Sequence, residues 1–507
     1  MSDADALRDF ARFLEAANTF GPQVDPLIGL LPQNEAYVAR VCAIPHEFNV
    51  PTICAAIPDV PAPTIEKTVE KIATSATVTP TASGFLMHDS VRRRVFGTWL
   101  DKPEFSSISR RLSEYYAHRT VIETNGRQAV LERRRVFHLV GADHGQGLDA
   151  VIRLCSSARE RFEFSNCSSM LGLAHEYDSV LASSEQTALR YEEAKVAADL
   201  ANWNRATQLL LGIINDRGAS DEIRVRALNR LGLVEDAQHH REEALGRFSS
   251  ALELATQRSI WNEIPSVSIN MANVLRDLGR IDDALRHLNA AIEKAEELQD
   301  DDSVAAARNA EGLIHYRRGE YESAIRDLGD VADILFRRGR MVPLAAVQAN
   351  LGLAYAGALR WVDSEAAFRQ SLEVYRGFGA SEPYARTLGG LARTVYAQQR
   401  VEESLQIAAM AEKVFLDTAR PLEAGTIARD SARWLVAAGR PDNARQRYAV
   451  AIEYFRAAEA SNEITVTERE LTAVGSEKLP RWVRICLWGV GIVFLLVVVL
   501  IVVGELI

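Results

Sequence analysis

Cysteine is scarce in this chain, with five in 507 residues. Cys42, Cys54, Cys155, Cys167 and Cys486 are odd in number and follow no metal or redox spacing. That excludes a disulfide framework and a zinc ribbon, and it reads as reduced thiols buried in a cytosolic domain. Catalytic signatures are missing too. There is no H-E-x-x-H, no G-x-S-x-G, no C-x-x-C and no G-x-x-x-x-G-K-[ST]. The reactions those motifs support are therefore not expected. Aromatic residues make up 7%, and glycine (30) and proline (16) are modest in number. With abundant Ala, Leu, Arg and Glu, that composition favours helix throughout. The first ten residues, MSDADALRDF, lack the basic start and apolar core of a secretory leader.

Positive charge is also short overall. The net charge is -10, which argues against a protein devoted wholly to nucleic acid. The deficit is uneven. Between Phe85 and Val140 there are eleven Lys or Arg against six Asp or Glu, a local excess of five. Most cations are arginines, so a single arginine carries little information. Hydrophobic residues at 48% and charged residues at 25% suit a globular chain of two or three domains.

A period of forty residues runs through the middle. LGLVEDAQHHREEALGRFSSALELA starts at Leu231 and MANVLRDLGRIDDALRHLNAAIEKA at Met271. Similar stretches start at Glu311, Leu351, Leu391 and Ser431, and a degenerate copy at Tyr191. Small residues recur at Gly232, Ala272, Gly312, Gly352, Ala392 and Ala432. Twelve residues on come Ala244, Ala284, Ala324, Ser364, Ser404 and Ala444. Four further on, Phe248, Leu288, Leu328, Phe368, Ala408 and Tyr448 fill the same place. Small residues on facing helices let two backbones approach, and the large residue fills the space beside them. Gly279-Arg280, Gly319-Glu320 and Gly439-Arg440 mark the turn between. Such regularity predicts a stacked solenoid.

These positions resemble the tetratricopeptide repeat (TPR). The period exceeds the family's usual ~34 residues, so the extra residues are expected to lengthen the second helix and its loop. The resemblance implies a right-handed α-solenoid of about seven helix pairs, here over 187–464, with a concave face lined by first helices. In that register the groove would carry Arg226, Asn229, Asn273, Arg276, Asn309, Tyr316, Arg386, Arg393, Tyr396, Arg429 and Arg433. Four arginines clustered in the last two repeats would suit a carboxylate-bearing partner, a protein or an acidic peptide. The plainer reading is a solvated face in an arginine-rich chain.

Upstream, FARFLEAANTF spaces apolar residues as a short amphipathic helix, assigned to 1–24. PLIGLLPQNEAYVARVCAIPHEFNVPTICAAI reads as two or three short helices broken at prolines. TIEKTVEKIATSATVTP gives another helix and then a β-like run; TASG turns, and FLMH returns as a strand. DSVRRRVFGTWL then opens a helix with Asp89 as the expected N-cap. This order over 25–105 resembles the winged-helix segment of the STAND (NB-ARC-like) signalling ATPases, including its Met-His-Asp motif. The resemblance implies that His88 stands where the family's histidine contacts the phosphate of bound ADP. The ATPase core is absent, so tight nucleotide binding in cis is not expected, and His88 is expected to pack against Asp89 or the wing. The alternative is a nucleotide contact in trans, on a partner ATPase. Arg92, Arg93, Arg94, Arg110 and Arg111 form the expected basic patch. Three adjacent arginines cannot share one helix face, so at least one should point elsewhere. An acidic protein surface or an anionic leaflet suits this patch better than DNA does.

His144 and Asp143 in GADHGQG read as a loop rather than a metal site. Asp300, Asp301 and Asp302 read as a solvated helix-end run. A helical connector is assigned to 106–186 and a juxtamembrane linker to 465–484. ICLWGVGIVFLLVVVLIVVG, 485–504, has no charge. Twenty helical residues at ~1.5 Å each reach about 30 Å, one hydrocarbon thickness. This reads as a transmembrane tail anchor. Lys478, Arg481 and Arg484 before it place the large domain in the cytoplasm, with a bacterial inner membrane as the expected location. The function expected is a non-enzymatic, membrane-tethered scaffold without cofactor or metal. The alternative is a STAND-type regulator whose winged helix binds DNA or completes a partner's nucleotide site.

Overall fold

A computed structural model describes residues 31–75, 77–122, 127–379 and 381–475. The expected N-terminal helix at 1–24, Cys486 and the expected anchor at 485–504 lie outside the described residues. Among the described residues, no helix is long and apolar enough to cross a membrane. The fold is mostly helical. It divides into two compact units, Met1–Arg159 with Glu163–Ala227, and Leu228–Ile507 with Glu160–Phe162.

The first unit begins with α1 (Gln33–Val41), α2 (Val50–Ala56) and α3 (Ala62–Ala73). A two-stranded antiparallel hairpin follows, β1 (Val78–Pro80) with β2 (Phe85–Met87), pairing Val78 with Met87. An isolated bridge joins Phe48 to Phe85. Gly84 sits where that bridge forms: a Cβ there would lie 2.4 Å from the Phe48 carbonyl oxygen. Only glycine lets the chains close at this point. Asn49 caps α2 through Thr52 N (2.9 Å) and donates to the Ser83 carbonyl (2.9 Å). The hairpin loop is thereby fixed to the helices.

α4 (Asp89–Gly97) leaves β2 directly. Its N-cap is His88 rather than the expected Asp89, and no side chain caps it. Asp89 is already helical and pairs with Arg93 one turn on (2.9 Å). α5 (Pro103–Ile122), α6 (Gln128–Ala142), α7 (His144–Glu160) and α8 (Phe164–Ala174) follow, then α9 (Ser183–Asp199) and α10 (Trp203–Asn215). Asp143 lies between α6 and α7 and accepts from Gln146 N (3.0 Å), a helix-start contact. One apolar core runs from Val38, Ile53 and Ile65 through Phe96 and Trp99 to Phe137 and Leu189. Cys42, Cys155 and Cys167 are buried free thiols, whereas Cys54 is only half-buried.

α11 (Asp221–Ala237) crosses the boundary between units. From there the pattern is strict. α12 (Arg241–Gln257), α13 (Ile264–Asp277), α14 (Ile281–Glu297), α15 (Asp301–Arg317) and α16 (Tyr321–Arg337) succeed one another. α17 (Met341–Gly357), α18 (Trp361–Gly377), α19 (Ser381–Ala397), α20 (Val401–Asp417), α21 (Pro421–Ala437) and α22 (Pro441–Ala457) continue it. α23 (Ser461–Gly475) closes the described residues.

The extra length of the repeat is not concentrated in the second helix and its loop, as expected. In three successive pairs, α15–α16, α17–α18 and α19–α20, both helices have 17 residues. The chain turns every twenty residues on a left-handed backbone position. One series is His239, Gly279, Gly319, Leu359, Gln399 and Gly439; the other is Ser259, Gln299, Gly339, Gly379, Ala419 and Glu459. These turns close with paired carbonyl contacts, as in Gly279 N to Arg276 O (3.0 Å) and Arg280 N to Leu275 O (2.9 Å). This is the helix-ending geometry that satisfies the last carbonyls. First helices of successive pairs pack on one another, α13 with α15, α15 with α17 and α17 with α19. Second helices of successive pairs do not approach as closely. First helices therefore line the inner wall of this unit.

Candidate interaction groove

Residues on the first helices form hydrogen-bonded steps from one repeat to the next. Asn270 Nδ2 donates to Asn229 Oδ1 (2.9 Å), and Asn229 Nδ2 donates to Ser266 Oγ (3.2 Å). The step recurs two helix pairs on, where Asn350 Nδ2 donates to Asn309 Oδ1 (2.9 Å). Asn273 accepts from Arg276 (2.8 Å), and Arg276 and Arg317 share Asp277 (3.1 and 2.9 Å). Tyr316 packs its ring on Tyr321, centroids 5.9 Å apart. Burial raises the Tyr316 phenol above its ordinary value, so it remains an O–H donor.

The four arginines of the last repeats do not stand as one free cluster. Arg386 pairs with Glu382 one turn back (2.7 Å). Arg393 holds Asp430 with Nε (2.8 Å) and Nη2 (2.7 Å). Arg433 takes Glu470 with two nitrogens (3.0 and 2.6 Å) and also reaches Asp430 (3.3 Å). Burial disfavours its charge, but Glu470 outweighs that and holds the guanidinium above its ordinary value. Arg429 pairs with Glu463 and lies over the Phe455 ring at 5.1 Å. Arg429 is 12% exposed and Arg433 31%, against 71% for Arg386 and 50% for Arg393. The first two fasten α23 to the array; only the second two are open to a partner. Tyr396 stacks on Trp434 at 5.0 Å beside them. Arg226 falls in the first unit and pairs with Glu222 (2.7 Å).

The partners were the part that sequence reasoning missed. Asp430, Glu463 and Glu470 lie 34 to 37 residues beyond their arginines. Asn270 and Asn350 follow Asn229 and Asn309 by 41 residues, one place off the forty-residue register. A search one residue either side of that register would have found them.

The expected basic patch is also redistributed. Arg92 is 2% exposed. Its two terminal nitrogens take Glu176 Oε2 (2.8 and 2.7 Å), and its plane lies over Phe96 and Phe137 at 5.2 and 5.8 Å. It belongs to a buried network with His46, whose Nε2 meets Glu176 at 2.9 Å. Arg111 donates to the Ala56 carbonyl at the end of α2 (2.7 Å). Arg93, Arg94 and Arg110 remain exposed. His88 is exposed, and its ring nitrogen meets Ser90 Oγ at 3.0 Å rather than Asp89. The acidic run is not merely solvated: Asp300 caps α15 through Ser303 N (3.1 Å), and Asp301 and Asp302 pair with Arg338 and Arg340.

Residues 263–337 match the tetratricopeptide repeat family. No curated protein sequence matches the chain. Among solved structures, a Signal Transduction ATPase with Numerous Domains (STAND) protein with a tetratricopeptide repeat sensor, from Pyrococcus horikoshii, is similar at 12% identity and a TM-score of 0.48. That likeness covers 87% of this chain and 66% of the other, so the chain spans just under two thirds of that structure. A Rap protein complexed with Competence and Sporulation Factor is similar at 9% identity and a TM-score of 0.46, over 65% of this chain and 98% of that one. NprR in complex with its cognate peptide NprX is similar at 13% and 0.43, over 66% and 89%. These are likenesses of helical architecture alone.

Proposed function

We propose that this chain is a non-enzymatic interaction scaffold, held at a membrane by 485–504, whose groove takes a cytosolic protein or acidic peptide. One observation carries the reading. The first helices of the second unit carry paired side-chain amides, Asn229 with Asn270 and Asn309 with Asn350, and in later repeats the exposed Arg386 and Arg393. Arg393 can exchange Asp430 for an incoming carboxylate, because half of its surface is already in water. Tethering rests on the uncharged twenty-residue run and the three cations before it.

Residues 25–105 act in this reading as a winged-helix-like docking module. Its third helix, α3, argues against DNA. Glu66 and Glu70 are exposed on it, while Lys67 and Lys71 are both engaged by Glu35 (3.1 Å each). A face so balanced gives phosphates little to hold. The second reading, a nucleotide contact in trans, is favoured by one fact, the exposure of His88.

The test is cross-linked co-purification from the native membrane. The intact chain is compared with a variant carrying Arg386→Ala and Arg393→Ala. Arg429 and Arg433 are left alone because they hold α23. Loss of a recovered protein in the variant supports the groove. A partner that persists moves the site elsewhere, and one with its own P-loop makes His88→Ala the next variant.

A further inference from the structure

The cysteines of the first unit stand in different settings. Cys42 is fully buried in the apolar core, and burial pushes its thiol up. Cys54 is half-buried on α2. Cys155 on α7 and Cys167 on α8 are fully buried too, but against each other. The Cys155 sulfur lies 3.8 Å from the Cys167 carbonyl oxygen, and its S–H donates to the Cys167 sulfur. No sequence motif marks this pair. The turn from α7 into α8 brings residues twelve apart in the chain together.

Their surroundings are charged, unlike those of Cys42. Arg159, one turn beyond Cys155, pairs with Asp199. On α9, Lys195 pairs with Glu192 at 2.6 Å. Glu192 is 4% exposed, and its Oε2 has no hydrogen-bond partner among the described residues. The two thiols are not equivalent here. The hydrogen bond from Cys155 holds the Cys167 thiol below its ordinary value; burial and Glu192 oppose the shift, and Arg159 and Lys195 assist it. The same hydrogen bond and burial push Cys155 up. Thiolate is the reactive form, so Cys167 is the thiol set to attack first. The Arg159 and Asp199 side chains are 20% and 18% exposed, so water reaches the rim of the cluster. A small oxidant needs only a brief local opening to pass it.

We propose that Cys155 and Cys167 form a redox-sensitive pair, which hydrogen peroxide converts into a disulfide between α7 and α8. The Cys167 thiolate attacks one peroxide oxygen and the O–O bond breaks. A sulfenic acid forms on Cys167, and the departing hydroxide takes up the proton released by that thiol and leaves as water. The Cys155 sulfur then attacks the sulfenic sulfur. Its S–H proton goes to the departing hydroxyl, and a second water leaves. The two thiols lose two electrons and peroxide gains them. This pair lies outside the groove of Arg386 and Arg393 and does not depend on that groove's role.

The experiment uses the full chain carrying Cys54→Ala, so that a half-buried thiol does not compete, and hydrogen peroxide as the oxidant. Peptide mapping without reductant reads the pairing. A Cys155–Cys167 cross-link is expected in the folded chain, and dithiothreitol should reverse it. With Cys155→Ala added, the cross-link is lost and dimedone traps a sulfenic acid on Cys167. With Cys167→Ala added instead, Cys155 stays unmodified at the same dose. Recovery of both thiols reduced, or cross-linking only once the chain is unfolded, overturns the inference. So does a sulfenic acid trapped on Cys155 rather than on Cys167. The cross-link itself is read with both thiols in place, so it is decided whether or not those two added variants fold.

Discussion

Gly352 and Phe368 stand so close that a Cβ on the glycine would lie 2.8 Å from the ring. The same relation holds between Gly232 and Phe248 (2.6 Å) and between Gly312 and Leu328 (2.8 Å), each pair sixteen residues apart. The ring fills the angle between the two helices of a pair, and the missing side chain lets them meet. Gly352→Ala is therefore expected to cost about 1–3 kcal/mol through overpacking. Gly246 lies within α12 with nothing near its Cβ position, so Gly246→Ala should instead gain about 0.5–1 kcal/mol. Chemical denaturation of the two variants checks both signs. A Gly352→Ala variant as stable as the intact chain would show that the two helices can part at no cost.

A second expectation follows from the turns. Gln399 holds φ 65° where the corresponding residues Gly279, Gly319 and Gly439 hold 78°, 77° and 72°. A side chain in this region costs about 1–2 kcal/mol. Gln399→Gly should thus stabilise the second unit by about 1 kcal/mol, and Gly319→Ala should destabilise it by a similar amount. The midpoint of urea unfolding measures each. A loss of stability in Gln399→Gly would mean that the side chain supplies a contact worth more than the strain.

The repeats were legible because their contacts are local. Gly352 and Phe368 lie on adjacent helices, so one sixteen-residue spacing carries the whole packing rule. The twenty-residue beat was hidden. The second turn of each repeat uses Ser259, Gln299, Ala419 and Glu459 as readily as Gly339 and Gly379, and its geometry is set by packing rather than by residue type. Arginine partners were harder still, since a cation in sequence does not announce its carboxylate. Arg360 reaches Glu322 and Arg440 reaches Glu402, each 38 residues back. The corresponding residue for Arg400 is Val362, and that arginine turns to Glu365 (2.9 Å) instead. The clustered arginines that suggested an anion groove are largely rungs of such a ladder. Arg92 shows the same limit: its neighbours Arg93 and Arg94 are exposed, and only the fold of distant Glu176 draws it inward.

Arg92 and Arg93 differ sharply in what their removal should cost. Arg93 and Asp89 are 68% and 64% exposed, so water screens their pairing and Arg93→Ala should change stability by under about 0.5 kcal/mol. Arg92→Ala leaves Glu176, 15% exposed, with a buried charge and one weak donor, His46. Breaking a buried pair from one side costs about 3–5 kcal/mol. Thermal unfolding of the two single variants separates these values. A small effect at Arg92 would show that Glu176 can reach solvent without strain.

The same network sets an acid limit on the first unit. His138 is fully buried, its ring stacked on Tyr116 at 5.6 Å, and its Nδ1 has no hydrogen-bond partner among the described residues. Burial first, then the charges of His46, Arg92 and Arg134, hold it well below its ordinary value of 6.5. Burial also lowers His46, although Glu176 opposes the shift. Both rings are therefore neutral in the fold and take up protons below pH 6.5 once unfolded. The unfolded chain binds more protons there, so stability is full above pH 6.5 and falls as the pH drops. The slope reaches at most about 1.4 kcal/mol per pH unit for each ring. Glu35, Glu47 and Glu365 are shifted down from 4.5 and act only in more acid solution. His287 in the second unit is lowered by burial as well, and its share remains in any variant of the first. His138→Phe keeps the aromatic stack and removes one titrating group. Its thermal midpoint should fall less steeply than that of the intact chain between about pH 6.5 and about pH 5. Parallel curves would mean that His138 is protonated within the fold, with water or a carboxylate brought to its unpartnered nitrogen.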